Sequence, residues 1–369
     1  MEGDLILNET NQRSPTSDKE NNCNSKLKYQ EIQLLSVNDV EEKEMQWLVP
    51  QYIPKGQITI MAGDGGSGKT TIWCALASAV SSGEKVFFDS TPEEFAKCDP
   101  KKVLFFSSED FIEYTLKARL RKSGANLKNI FSLSLRDDKF SELKFNSDLL
   151  KQIIEQQRPE LVIFDPLQSF IPPNIQMSQR NAMRNCLNPL ISLGEQFGTT
   201  FLIILHTNKK AGCYGRNRVA DSADIWDIAR SVLIVGTSPA NSEIRYISHE
   251  KSNYDIPGET ALFTIDDGVA VFKEYSNKHD VDFVRERDDT ARNAPQRQDA
   301  RQFILDFLRN GKKPTADLDE AAGAAGISRS TLNRTKTEMR KEGILGGCGE
   351  GYGKTKVWYS YLIENSLKW

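Results

Sequence analysis

The sequence predicts an α/β fold with a mostly parallel central sheet, followed by a small second domain built mainly from helices. Short apolar runs alternate with longer segments of helical spacing up to about residue 275, which is typical of parallel strands joined by helices. A charged, turn-rich stretch at 276–298 then interrupts this alternation, and the spacing beyond it is mostly helical. With 369 residues, the chain has room for two or three domains.

The composition limits the kind of protein that the chain can be. Its net charge is −3, so any surface for nucleic acid has to be local. The six cysteines are scattered without a Cys-x-x-Cys pair, which argues against a zinc site or a disulfide framework and suits a reducing compartment. No apolar run approaches the roughly 18 residues of a membrane span, and no signal-peptide pattern opens the chain. We therefore expect a cytoplasmic protein that makes no contact with a membrane.

The pattern of the chain predicts its domain boundaries. The first residues are polar and have no period, so we expect a disordered tail there. Apolar strand-like runs define the first domain, and the composition of the charged stretch after it predicts a linker. The predicted parts are the tail at 1–30, the α/β domain at 45–275, the linker at 276–298 and the second domain at 299–369.

The most specific motif follows the first long apolar run. Residues 63–70 read GDGGSGKT and match the P-loop pattern G-x-x-x-x-G-K-[ST] at every fixed position. A strand-like run precedes the motif and an Ala-rich helical segment follows it, so a chance glycine-rich turn is the weaker alternative. Such a loop binds phosphates, with Lys69 on the β- and γ-phosphates and the Thr70 hydroxyl on Mg²⁺. The predicted contacts to ATP are Gly63, Asp64, Gly65, Gly66, Ser67, Gly68, Lys69, Thr70 and Thr71.

Three polar residues follow predicted strands and are candidates for the reaction. Asp165 ends the apolar run LVIFD, and the carboxyl ends of parallel strands line the ligand crevice, which places this carboxylate beside the Mg²⁺ held by Thr70. Glu109 follows the run VLFFS and is either a base that activates water or an acidic cap of the next helix. His206 follows the run TFLIIL and is either a sensor of the γ-phosphate or a structural histidine.

The second domain has the pattern of a winged helix. Two helical segments are joined through Gly326-Ile327-Ser328, as in a helix-turn-helix, and a glycine-rich segment leads to the final strand WYSYL. The second of these helices carries five basic and two acidic side chains over 329–342, and its first turns are where such helices contact DNA. A winged helix that docks another protein is the alternative. The candidates for DNA contact are Arg329, Arg334, Lys336 and Arg340.

On these motifs, the stretch 45–275 resembles the RecA-like ATPases of the plasmid RepA helicase type. The resemblance rests on WLVPQYIPKGQITIMAGDGGSGKTT, FFSSED, LVIFDP, LIILHTNK and VADSADIWDIARSVLIV, in this order. It implies a RecA-like P-loop core, ATP and Mg²⁺ as cofactors, Glu109 as the catalytic base, and assembly into a homo-oligomeric ring, often a hexamer. The family's histidine at a strand end matches His206, so the candidate catalytic residues are Glu109, Lys69 and His206. DnaB-like relatives carry a Lys-x-Arg finger that acts across the subunit interface. Here Lys251-Ser252-Asn253 has the lysine without the arginine, so the finger candidates are Lys251, Arg230 and Arg216.

The predicted function is an ATP-hydrolysing, DNA-binding motor in DNA replication, a helicase or helicase-like protein that binds single-stranded DNA, duplex DNA or both. The alternative is a DNA-binding replication or regulatory protein that uses ATP as an assembly switch and does not unwind DNA. A metabolic P-loop kinase is disfavoured, because the second domain has the winged-helix pattern and the sequence indicates no lid or acceptor pocket.

Overall fold

The structure is a computed structural model of the 369-residue chain. It describes residues 34–92, 97–177, 179–208, 213–219, 223–351 and 356–363, and for residues 180, 223 and 289–297 it describes the backbone alone. Residues 45–369 form one compact unit and residues 1–44 form another. The tail predicted at 1–30 lies outside the described residues, and the described part of the first unit contains a 3₁₀ turn at Val37–Asp39.

Strands and helices alternate along much of the larger unit. The strands are β1 (Trp47–Val49), β2 (Ile53–Pro54), β3 (Ile58–Gly63), β4 (Val103–Ser107), β5 (Ile130–Phe131), β6 (Leu161–Asp165), β7 (Thr200–His206), β8 (Ser231–Thr237), β9 (Arg245–Ser252), β10 (Thr260–Asp266), β11 (Val269–Ser276), β12 (Lys313–Pro314), β13 (Leu345–Glu350) and β14 (Val357–Leu362). The helices are α1 (Lys69–Ser82), α2 (Lys117–Lys122), α3 (Lys139–Glu142), α4 (Asp148–Gln157), α5 (Arg180–Phe197), α6 (Ala223–Ile228), α7 (Asp280–Leu308), α8 (Thr315–Ala324) and α9 (Arg329–Lys341).

A single central sheet of nine strands organises the larger unit, in the order β11-β10-β9-β8-β3-β7-β6-β4-β5. The strands from β8 to β5 in this order are parallel neighbours, and β9, β10 and β11 extend the sheet by antiparallel pairing. The predicted α/β fold with a mostly parallel central sheet is confirmed. The register pairs Gly63 with His206 and Ser107 with Asp165, so the parallel strands end at one edge of the sheet.

Both faces of the central parallel strands of this sheet are buried, because helices cover each of them. On β3, Ile58, Ile60 and Ala62 belong to an apolar core shared with α4, α5 and α6. Met61, which points to the other face, belongs to a second core shared with α1 and α2. The alternation follows from the two-residue period of a strand, and burial on both sides explains why the strands read as continuous apolar runs.

Helix α7 occupies most of the stretch that is predicted as a linker, 276–298. From Asp280 to Leu308 the backbone is one continuous helix, although the sequence there is strongly charged. Asp282 caps its start, because its side chain accepts from the backbone N–H of His279 at 2.9 Å, while its own backbone N–H donates to the carbonyl oxygen of His279. The helix therefore depends on its caps and tertiary contacts rather than on an apolar stripe.

The residues after the middle of α7 build a small core of their own. Ile304 and Leu308 of α7 pack there with Leu318 of α8 and with Leu332 and Met339 of α9. Strands β12, β14 and β13 form a three-stranded antiparallel sheet beside these helices. The order of helix, turn, helix and hairpin is the one that the sequence predicts. Within the described ranges, none of the helices is long and apolar enough to cross a membrane.

Candidate nucleotide site

The P-loop joins the central strand β3 to helix α1. Gly68 has φ 103°, a left-handed backbone conformation that favours glycine. A Cβ on Gly63 would lie 2.6 Å from the carbonyl oxygen of Val235 on β8, so the close approach of the two strands also requires glycine. At Gly65 and Gly66, by contrast, no atom of the described residues lies within 4 Å of an added Cβ. The loop is therefore tightly built at both ends and open in its middle.

Lys69 is held inside this loop. Its side-chain Nζ donates to the carbonyl oxygen of Gly63 at 2.8 Å and to that of Asp64 at 2.9 Å. Burial lowers the pKa of Lys69, and the carboxylates of Asp165, Glu109 and Asp64 act in the opposite direction. The ammonium thus lies at the P-loop among three acidic side chains, where phosphate oxygens can replace the two carbonyls as its acceptors.

Asp165 lies at the end of β6 with only 5% of its surface exposed. The indole of Trp73 on α1 donates its Nε1–H to Oδ2 of Asp165 at 2.8 Å. Burial raises the pKa of this carboxyl to about 6, and the hydrogen bond from Trp73 partly opposes that shift. The residue ends the strand as predicted, but its indole partner could not be predicted from the sequence.

The residues around Asp165 fit Mg²⁺ bound together with a nucleotide. No group of three or more His, Cys, Asp or Glu side chains that could hold a metal occurs in the described residues. The Thr70 hydroxyl on α1 and the Asp165 carboxylate on β6 are both oxygen donors. Mg²⁺ is usually held by one or two protein oxygens and by substrate phosphates, so this small donor set suits it.

His206 lies between Lys69 and Glu109. Its Nδ1 is 3.5 Å from Nζ of Lys69, and its Nε2 is 3.5 Å from Oε1 of Glu109. An ammonium can only donate, so Nδ1 is the acceptor and the proton of the neutral ring lies on Nε2, facing Glu109. Glu109 does not cap the next helical segment, which begins at Ile112 after Phe111 and has no side-chain cap. The structure thus brings Lys69, Glu109 and His206, the predicted catalytic residues, together.

A buried network around Asp64 was missed by the sequence reasoning. Asp64 accepts a short hydrogen bond from the Thr207 hydroxyl at the end of β7, and Arg218 lies 3.3 Å from Oδ2 of Asp64. Arg218 also forms a short ion pair with Asp280, the first residue of α7, which accepts from the Tyr246 hydroxyl at 2.9 Å. The P-loop is therefore tied to the start of α7. Asp280 lies in the predicted linker, so its sequence context gave no signal for this contact.

A protein-family model described as an AAA domain matches residues 23–212, just over half of the 369 residues. The chain belongs to this AAA domain family. Among solved structures, it is similar to a KaiC-like protein, PH0186, from the hyperthermophilic archaeon Pyrococcus horikoshii OT3 and to the RadB recombinase. Each of the two is 16% identical to this chain, with a TM-score of 0.42. Each match covers 60% of this chain, and it covers 91% of the KaiC-like protein and 93% of the RadB recombinase. A search of curated proteins gives no match.

The range matched by the AAA domain contains the P-loop, Glu109, Asp165 and His206. The three finger candidates, Arg216, Arg230 and Lys251, lie beyond it. Lys251 donates to the carbonyl oxygens of Trp226, Asp227 and Ala229 at 2.8, 3.2 and 2.6 Å, which satisfies carbonyls at the end of α6. Its backbone pairs with Val232 near the start of β8, whereas Gly63 of the P-loop pairs with Val235 further along that strand.

The other two finger candidates lie close to Lys251. Arg216 forms a short ion pair with Asp227, and both Arg216 and Arg230 lower the pKa of Lys251, after the larger effect of burial. The three predicted candidates thus form one basic group near the end of α6. Within this group, the ammonium of Lys251 is committed to backbone carbonyls.

Helix α9 presents its predicted DNA contacts unequally. Arg329, Arg334 and Arg340 are exposed, whereas Leu332 and Met339 of the same helix are buried. The structure corrects the prediction that Lys336 contacts DNA. Its side chain is only 5% exposed and forms a short ion pair with Asp319 of α8. Its position in the helix turns it toward α8, so it stabilises the packing of the two helices and does not face the surface.

Proposed function

We propose that this AAA domain protein hydrolyses ATP with the help of Mg²⁺ and acts as a RecA-like, DNA-binding motor in DNA replication. In this proposal it is a helicase or helicase-like protein of the phage and plasmid type, working in the cytoplasm. The observation that carries the ATPase activity is the meeting of Lys69, Asp165 and Glu109 at one edge of the sheet. A phosphate-binding lysine, a metal-binding carboxylate and a second carboxylate are the parts that phosphoryl transfer to water requires.

Each residue has a role that follows from its place. Lys69 exchanges the carbonyls of Gly63 and Asp64 for the β- and γ-phosphate oxygens. Thr70 and Asp165 would hold Mg²⁺, which would supply neutralisation of the charge on these phosphates. Glu109, whose side chain is 52% exposed, accepts the proton of the attacking water.

His206 supports this arrangement from between Lys69 and Glu109. With its Nδ1 facing the ammonium, its Nε2–H points to Oε1 of Glu109 and holds that carboxylate in place. The γ-phosphate of bound ATP would lie beside Lys69 and Glu109. Its binding or release would therefore change the surroundings of the His206 ring directly.

We extend the proposal to DNA binding by a winged helix at 299–369, attached to an ATPase domain at 45–275. Three exposed arginines on α9 support this, since phosphate contacts from Arg supply much of the affinity for DNA. Replacing Arg329 and Arg334 by Ala should weaken binding to DNA, and each lost phosphate contact should lower the slope of log K against log salt by about 0.9.

The matched control is Arg309→Ala, because Arg309 is also exposed and follows α7 in the same part of the chain. It should leave the affinity and the salt slope unaltered. If the double variant binds single-stranded and duplex DNA as the unchanged protein does, the winged helix is a docking module for another protein.

The third part of the proposal is assembly into a homo-oligomeric ring, a hexamer, with a basic finger reaching the neighbour's nucleotide. Lys251 would have to leave three backbone carbonyls to do this, which favours Arg230 or Arg216. Subunits that carry Lys69→Ala keep the finger, and subunits that carry Arg230→Ala or Arg216→Ala keep the P-loop. If the substituted arginine is the finger, both single variants should be inactive. Mixing that variant with Lys69→Ala should then restore hydrolysis, because an intact P-loop can meet an intact finger at some interfaces. No restoration with either arginine contradicts an arginine finger from this group.

A second candidate is a DNA-binding protein switched by ATP that does not unwind DNA. The Asp64 network favours it, because α7 begins at the P-loop and ends in the C-terminal core, so a change at the loop has a direct route to α9. Strand displacement on forked DNA separates the two functions. A motor displaces a strand with ATP and fails to do so as Glu109→Gln, whereas a switch shows ATP-dependent DNA binding and no displacement.

A further inference from the structure

Trp73 makes a contact that the packing of α1 alone does not explain. Its side chain is fully buried in the apolar core between α1 and the sheet, with its ring 5.4 Å from that of Phe105. The neighbouring buried positions of the helix, Ile72 and Leu76, are purely apolar. Trp73 carries a polar group into this layer, and its N–H goes to the carboxylate of Asp165 at 2.8 Å.

The spacing on α1 places this indole with the phosphate-binding residues. Trp73 follows Lys69 by four residues and Thr70 by three, and residues at these spacings lie on one face of a helix. The same face therefore carries the lysine for phosphate, the hydroxyl for Mg²⁺ and a donor for the carboxylate that completes the site.

We propose that Trp73 is a positioning residue for the Mg²⁺ site, which holds Asp165 by hydrogen bonding to its Oδ2 so that its other oxygen, Oδ1, is the one available to the cation. This inference rests on the proposed ATPase function. An indole N–H is a donor only, so the bond occupies one oxygen and restrains rotation of the carboxylate. Groups that orient a metal ligand in this way commonly change metal affinity 10- to 100-fold when they are removed.

The test uses Trp73→Phe in the full chain, which keeps an aromatic ring and removes the donor. Binding of a non-hydrolysable ATP analogue is followed with increasing Mg²⁺ and also without Mg²⁺. The Mg²⁺ concentration that gives half of the maximal effect on analogue binding should rise by about tenfold or more. The affinity for the analogue without Mg²⁺ should stay within about twofold, because Lys69 and the loop are unchanged. A role in packing alone would leave the Mg²⁺ requirement as it is.

Trp226→Phe is the matched control, since it makes the same substitution on α6, where Trp226 packs at the edge of the opposite core. It should leave both measurements unaltered. Equal Mg²⁺ dependence of Trp73→Phe and the unchanged protein overturns the inference and leaves the ATPase proposal standing. If the unchanged protein binds no ATP analogue with or without Mg²⁺, the proposed function itself fails.

A second measurement keeps Trp73 in place, in case its substitution prevents folding. The other tryptophans are changed to Phe, so that emission comes from one indole. Adding Mg²⁺ to the analogue-bound protein should shift the emission of Trp73, because the cation binds the carboxylate to which the indole donates. Unchanged emission at saturating Mg²⁺ overturns the inference. The substitutions for this protein are Trp47→Phe, Trp226→Phe, Trp358→Phe and Trp369→Phe.

Discussion

Replacing Arg218 by Met should strongly destabilise the α/β domain. Arg218 is 2% exposed and forms an ion pair with Asp280, which is fully buried. Methionine replaces the stem of the arginine side chain and removes the guanidinium, so the Asp280 carboxylate would stay buried with the Tyr246 hydroxyl as a neutral partner. Removing one member of a buried ion pair costs about 3–5 kcal/mol. That is a large part of the roughly 5–15 kcal/mol by which a domain is stable.

Urea unfolding of the full chain, followed by circular dichroism, measures this loss. Arg216→Met is the matched control, because Arg216 forms its ion pair with Asp227 at a half-exposed position, where such pairs contribute about 0–1 kcal/mol. Adding Asp280→Asn to Arg218→Met should recover part of the loss, since the uncompensated charge is then gone. An Arg218→Met protein that loses under about 1 kcal/mol, like the control, refutes the view that this network joins the P-loop to α7.

The remaining predictions concern three lysine and histidine side chains. Lys69→Ala should abolish ATP hydrolysis and weaken ATP binding, because the charge on the β- and γ-phosphates is lost; normal turnover in the purified variant would contradict the P-loop assignment. Lys336→Ala should lower the thermal stability of the C-terminal core and leave the salt slope of DNA binding unaltered, because its ammonium pairs with Asp319; a change in that slope would return Lys336 to the DNA-binding surface. Burial lowers the pKa of His249 from 6.5 to about 4, so its contribution to stability is complete above pH 6.5 and falls by up to about 3 kcal/mol between pH 6.5 and 4. Between pH 6.5 and 4, the urea midpoint should fall less steeply for His249→Gln than for the unchanged protein. An identical pH dependence of the two midpoints would contradict the assignment of this loss of stability to His249.

The parts of the site that could be predicted from sequence are those set by strand ends. Glu109, Asp165 and His206 each follow a run of apolar residues, and the parallel register then brings such ends to one edge of the sheet. The P-loop is a local motif whose glycines and lysine are needed at fixed spacing, so its place before α1 was also predictable.

The parts that were missed depend on contacts between distant residues. The charged sequence of α7 reads as a linker, and its start is fixed by the burial of Asp280 against Arg218, which lies 62 residues earlier. Lys336 has the same charge as its exposed neighbours on α9, and only the packing of α8 shows that it faces Asp319. Trp73 reads as a core residue, which it is, and its bond to Asp165 appears only when α1 lies against β6.

Release of phosphate from ATP by the purified protein tests the central claim most directly, with Glu109→Gln as the paired variant. We expect the unchanged protein to hydrolyse ATP in a Mg²⁺-dependent manner. The variant should bind ATP with similar affinity and hydrolyse it at least about 10²-fold more slowly, because it lacks the general base while Lys69 and Asp165 remain. No hydrolysis by the unchanged protein, or a normal rate for Glu109→Gln, would contradict the account.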